Sequence, residues 1–76
     1  MADVKYPFVI YPASEGGYVA EIPALKGCLA QGETLDETLD ELETVENLWL
    51  TTAEQAGVAF PAVAAEVERV KQRLVA

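Results

Sequence analysis

GETLDETLDELETVENLWLTTAEQAG, the run from Gly32 to Gly57, decides how this chain folds. Thr34 followed three residues later by Glu37 is a capping-box start, and Gly57 suits the left-handed stop that closes many helices. Leu35, Leu39, Leu42, Trp49, Ala53 and Ala56 recur at three- and four-residue steps, so the run predicts one long amphipathic helix. Val45 and Leu48 widen the apolar stripe, and Glu46 interrupts it. The remaining face is acidic: Asp36, Glu37, Asp40, Glu41, Glu43, Glu46 and Glu54, with no lysine or arginine.

The segments before the helix read as strands that supply its apolar partner. Lys5 to Pro12 has strand composition with Tyr6, Phe8 and Ile10 on one face; Pro7 and Pro12 cannot donate to a ladder, which suggests an edge strand or one paired on only one side at those positions. Ala13 to Gly17 is a turn, and Tyr18 to Ile22 a second strand with Tyr18, Ala20 and Ile22 facing one way. Pro23 ends it, Ala24 to Gly27 reverses the chain, and Cys28 to Gln31 makes a short third strand. The expected fold is α+β: a small antiparallel sheet of three or four strands packed on one long helix, in the order β-β-β-α. The last segment, 62–75, is either a short helix or a fourth strand. Val63, Val67, Val70 and Leu74 step as a helix does, and acids precede bases as the helix dipole prefers; the β-branched content of Val67 to Val75 suits a strand.

At 76 residues the chain is expected to form a single domain, 1–76, with its core over 4–57 and an extension over 58–76. A hydrophobic content of 51 % is generous for that size, and it points to a dense core with apolar surface left over for a homodimer or tetramer. Trp49, Phe60 and the Pro-marked first strand are the expected contributors. The lone Cys28 has no partner for an internal disulfide, so it reads as a small buried apolar residue in a reducing, cytoplasmic protein. No apolar run reaches the length of a membrane span.

Net charge is −8, and eight of the thirteen acids lie between Glu33 and Glu54. From Gly27 through Glu68 there is no basic residue, so the chain repels phosphate backbones and no direct nucleic-acid binding is expected. Such a face either keeps the protein soluble or meets a basic protein partner. With no histidine, general-base triads and histidine-containing zinc sites are excluded. Asp36 with Asp40, and Glu37 with Glu41, share helical faces, but a two-metal nuclease needs acids converging from different elements. No catalytic residue, cofactor or metal is expected.

Several signals in the first 57 residues fall in one order: Tyr6-Pro7, Gly16-Gly17-Tyr18, Glu21-Ile22-Pro23-x-Leu25-x-Gly27-Cys28, Gly32-x-Thr34-Leu35-x-Glu37 and Trp49-Leu50. Together they resemble the HicB antitoxin family, partners of the basic HicA messenger-RNA interferases. The resemblance implies a partial ribonuclease-H-like fold without catalytic activity, which binds the toxin and covers its active surface. Thr38 stands where that family commonly has alanine, a mild change on the helix flank. The stretch after Pro61 is too short for the operator-binding domain that longer members carry, and short members often end in an extra strand. The candidate partner-binding residues are Asp36, Glu37, Asp40, Glu41 and Glu43, with Glu15 on the first turn. The sheet edge and the Ala13–Gly17 turn are competing contact surfaces. An orphan oligomeric scaffold, or a small regulatory protein-binding domain, is the alternative function, and a residual metal-dependent nuclease is a third.

Overall fold

A computed structural model describes residues 2–75, so Met1 and Ala76 of the expected 1–76 domain lie outside the described residues. The element order is β1 (Val9–Pro12), β2 (Tyr18–Glu21), β3 (Leu29–Gly32), α1 (Leu35–Ala56) and α2 (Val63–Val75). The three strands form an antiparallel meander in the order β1-β2-β3, and α1 covers one face of it, over β2 and β3. β1 pairs only with β2, the edge position that its flanking prolines require. The first turn closes with Ala13 N–H donating to the Gly17 carbonyl (3.0 Å). Gly17 adopts φ +74° there, where a side chain would be strained.

Register explains which side of the sheet meets the helix. Ile10, Ala20 and Ala30 stand opposite one another across the three strands, and directly opposed residues point the same way. With Ile22 and Cys28 at the ends of their strands, this row forms the floor under α1. The core joins Tyr6, Ala20, Ile22, Leu25, Cys28, Ala30 and Leu42, with Val45, Trp49, Leu50, Phe60 and Val63 packed around it. Alanines in the floor let α1 approach closely. At Gly32 the approach is tightest: an added Cβ would lie 2.7 Å from both the backbone N and the Oγ1 of Thr38.

Both ends of α1 follow the expected chemistry. The Glu37 N–H donates to Thr34 Oγ1 (3.1 Å), and the Glu37 carboxylate reaches back to accept the Glu33 N–H (3.2 Å), one residue upstream of the usual reciprocal donor. Gly57 takes φ 70°, and the Val58 N–H closes on the Ala53 carbonyl at 2.8 Å.

Four expectations need correction. Tyr6, Phe8 and Ile10 do not share a strand face: β1 begins only at Val9, Tyr6 is buried in an irregular lead-in, and Phe8 is exposed. The stripe on α1 is centred on Thr38, Leu42, Glu46 and Ala53, while Leu35, Leu48 and Ala56 face water. Thr38 is therefore not on a flank; it is fully buried against Gly32, its hydroxyl donating to the Thr34 carbonyl at 2.7 Å. Trp49 and Phe60 are not spare surface either, because their rings meet edge-to-face with centroids 6.0 Å apart and Trp49 Nε1–H donates to the Lys26 carbonyl. Of the two forms left open for 62–75, the structure shows the helix, α2.

Candidate functional site

The acids of α1 divide by their angular position on the helix. Asp36, Glu37, Asp40 and Glu41 are exposed along its outer side, away from the sheet. Glu54 is exposed near the far end. Among the described residues the ion pair found is Glu66 with Arg69 (3.6 Å), and none of these outer carboxylates pairs with a lysine or arginine there. Asp36 to Glu41 form a field of one sign along about one and a half turns of helix.

Glu43 and Glu46 belong elsewhere. Glu46 is fully buried, and its carboxylate accepts the backbone N–H of Lys5 (3.2 and 3.0 Å) and of Tyr6 (3.0 Å). A buried carboxylate is tolerable only when hydrogen bonds replace its water, and here the backbone of the N-terminal lead-in does so. Glu43, half-buried, accepts the Asp3 N–H at 3.1 Å. Together these two acids clamp residues 3–6 onto α1. Glu46 therefore leaves the acidic face, and Glu43 is already engaged within the chain.

The clamp colours its neighbourhood. Burial pushes the Tyr6 hydroxyl above its ordinary value of 10.0, and the negative charges of Glu46 and Glu66 add to the effect. Tyr6 donates that hydroxyl proton to the Pro61 carbonyl (2.5 Å), which anchors the segment leading into α2. Burial likewise raises the Cys28 thiol, again with help from Glu46. Cys28 is a buried, protonated core residue, as its setting in the sequence suggested.

Glu15 lies apart from Asp36 and Asp40 but close to Glu37. It sits on the first turn, where Ala13, Glu15, Gly16, Tyr18, Gln31, Gly32, Glu33 and Glu37 line one open groove at the end of the sheet. The groove thus carries three acids, Glu33 being the one the sequence reading had not marked as a site residue. Asp36 and Asp40 line a second depression with Ala2 and Leu39 on the other flank of the helix. Among the described residues no three His, Cys, Asp or Glu side chains are gathered as metal ligands. Among the described residues no helix is long and apolar enough to cross a membrane.

Comparison with known proteins gives the lineage. The UPF0150-like family model matches residues 1–61. A UPF0150 protein of Synechocystis sp. is 59 % identical over 68 residues, spanning 90 % of this chain and 93 % of its own length. A second UPF0150 protein of the same organism is 40 % identical over 48 residues, 62 % of this chain and 70 % of its own. A UPF0150 protein of Archaeoglobus fulgidus is 34 % identical over 47 residues, 62 % of this chain and 68 % of its own. No solved structure matches. The matched stretch runs from the clamped N-terminal segment through the sheet and all of α1, and on that basis the chain belongs to the UPF0150-like family.

Proposed function

We propose that this domain is a non-catalytic antitoxin of the HicB kind, which binds a small basic HicA-type messenger-RNA interferase in the cytoplasm and covers its active surface. The observation that carries the reading is the outer face of α1, where Asp36, Glu37, Asp40 and Glu41 are exposed and, among the described residues, meet no lysine or arginine. An RNA-cutting toxin presents positive charge to phosphates, and a rigid acidic helix competes for that charge. Glu15 and Glu33, beside Glu37 on the groove, extend the field past the helix start. Opposite potentials of this kind accelerate encounter and lose their reach as salt shortens the Debye length.

The test is a search of the reading frames beside this chain's gene for a small basic protein, followed by capture of that protein. Wild-type chain binds it and stops its RNA cleavage, and raising salt slows association. Reversing Asp36, Asp40 and Glu41 to lysine lowers the association rate by about ten-fold or more, within the range that steering supplies. Glu43 is left intact, because its loss would disturb the Asp3 contact rather than the surface. Unchanged binding by the triple variant would remove this face from the interface. RNA cleavage by the purified chain with magnesium would overturn the non-catalytic assignment.

A further inference from the structure

The two edges of the sheet are not alike. In an antiparallel ladder the opposed pairs alternate between those that exchange hydrogen bonds and those that do not. Ala13 N–H donates to the Gly17 carbonyl, so Tyr11 and Val9 bond to β2, while Ile10 and Pro12 turn their backbone groups outward. Pro12 has no N–H to offer there, which blunts the β1 edge. Across the sheet, Ile22 N–H donates to the Cys28 carbonyl (3.0 Å), so Ala30 and Gly32 bond back to β2 by the same alternation. Leu29 and Gln31 therefore present their N–H and C=O groups outward, and both residues are exposed. No proline or charged residue guards Leu29–Gly32.

This open stretch has defined ends. Past Gly32 the next outward N–H, that of Glu33, is taken by the Glu37 carboxylate (3.2 Å). Before Leu29 the chain leaves extended geometry at Gly27, where φ is +81°. Among the described residues no turn or loop backbone bonds to Leu29 or Gln31. The edge thus offers two residues and four backbone groups, the footing for one short added strand.

We infer that an extended, basic segment of a partner protein adds to β3 as a fourth strand. Charge at the end of β3 selects the occupant. Gln31 and Gly32 line the groove that also holds Glu15, Glu33 and Glu37, so a chain running along β3 past Gln31 enters a field of three carboxylates. A lysine or arginine at that point of the added strand is attracted, and an acidic residue is repelled. A second copy meets this requirement poorly. Its own β3 runs into Glu33, no basic residue stands from Gly27 through Glu68, and Lys26 belongs to the turn before the strand. In strand addition the main chain supplies affinity and alternate side chains supply choice. Residues opposite Leu29 and Gln31 share the outer sheet face with them. The inference deepens the proposed function and rests on its basic partner, naming the backbone that receives it.

Hydrogen exchange of the full chain, read amide by amide by NMR, tests this with a short capped peptide alternating lysine and valine. In the chain alone the Leu29 and Gln31 amides exchange fast and the Ala30 amide slowly. The peptide slows Leu29 and Gln31 by about ten-fold or more and leaves Ala30 as it was. The same peptide N-methylated along its backbone slows neither amide, and one with glutamate for lysine binds about ten-fold more weakly. Gln31→Pro removes a donor that no bond within the chain uses, so it keeps the fold and abolishes the slowing at Leu29. If Q31P does not fold, the methylated peptide makes the same test on the wild-type chain. No slowing by the lysine peptide overturns the inference, as does equal slowing by the methylated or glutamate peptide, or by the lysine peptide on folded Q31P. Leu29 and Gln31 amides that gain protection as the chain alone is concentrated assign the edge to a second copy and overturn it too. A toxin captured by a chain that fails these tests leaves the proposed function standing, and strand addition without a toxin leaves this inference standing.

Discussion

Glu41 and Glu46 are the same residue on the same helix, five positions apart, and they do opposite things. Five positions turn a side chain through most of a circle and a half, so the two point to different surroundings. Glu41 stands in water on the outer side, while Glu46 lies under the N-terminal segment with its oxygens on the Lys5 and Tyr6 amides. The contrast teaches that acidity on α1 is not one feature. Part of it builds the fold by supplying acceptors to a strandless segment, and part of it is a free field.

The largest effect should come from removing the inner carboxylate. Glu46→Ala leaves two buried amides without acceptors and opens a void, which together cost about 3 kcal/mol. For a domain this small that is a fall of more than ten degrees in melting temperature, roughly. Glu46→Gln keeps an acceptor and costs about half as much. Glu41→Ala, by contrast, stays within about 0.5 kcal/mol of wild type. Urea denaturation of the three variants breaks the comparison if Glu46→Ala and Glu41→Ala coincide.

Next comes the contact that sets the height of α1 above the sheet. Gly32→Ala drives a methyl group into the Thr38 backbone and hydroxyl, and should destabilise by about 1–3 kcal/mol. Adding Thr38→Ala relieves the hydroxyl clash but not the one with the backbone nitrogen, so the double variant recovers part of the loss. Full additivity of the two changes would mean that the helix simply shifts outward. The loss should spare the outer field, leaving any salt dependence of partner binding as it was.

Alkaline pH probes the inner region alone. Tyr6 and Cys28 both titrate above their ordinary values in the folded state, so folding holds their protons more tightly than unfolding does. Stability from these groups is complete below the unfolded values of 9.0 and 10.0 and falls as pH climbs through the folded ones. Tyr6→Phe should flatten that decline, at a cost of about 1 kcal/mol at neutral pH for the lost bond to Pro61. At neutral pH Cys28 should react with thiol reagents only as fast as the chain opens.

What the sequence discloses follows the same inner and outer division. Strand order, the long helix and its two caps were legible because Thr34, Glu37, Gly57 and the turn glycines act through neighbours a few residues away. The Glu46 clamp was not legible, since its partners Lys5 and Tyr6 lie forty positions upstream and donate from the backbone, which has no residue signature. An apolar-only stripe also treats Thr38 and Glu46 as off-face, which displaced it toward Leu35 and Leu48. The outer acids were legible as charge, and Glu33 could have been added from its place beside the cap. Their grouping with Glu15 needed the hairpin to bring the first turn to the start of α1.

The smallest change in stability should carry the clearest sign. Glu37 and Glu41 are four apart on α1 and repel; Glu41→Lys turns that pair into an attraction with the acid on the N-terminal side, the better orientation. The fold should gain about 0.5 kcal/mol, measured as a small rise in the denaturation midpoint. Asp36→Ala should move the other way by a few tenths of a kcal/mol, roughly, because an acid in the first turn favours the helix dipole. On the proposed function, Glu41→Lys also weakens capture of a basic partner, so one substitution strengthens the fold and impairs binding. A face that served solubility alone would show the gain in stability without the loss of binding. The opposed signs therefore separate recognition from solvation more sharply than the size of either effect.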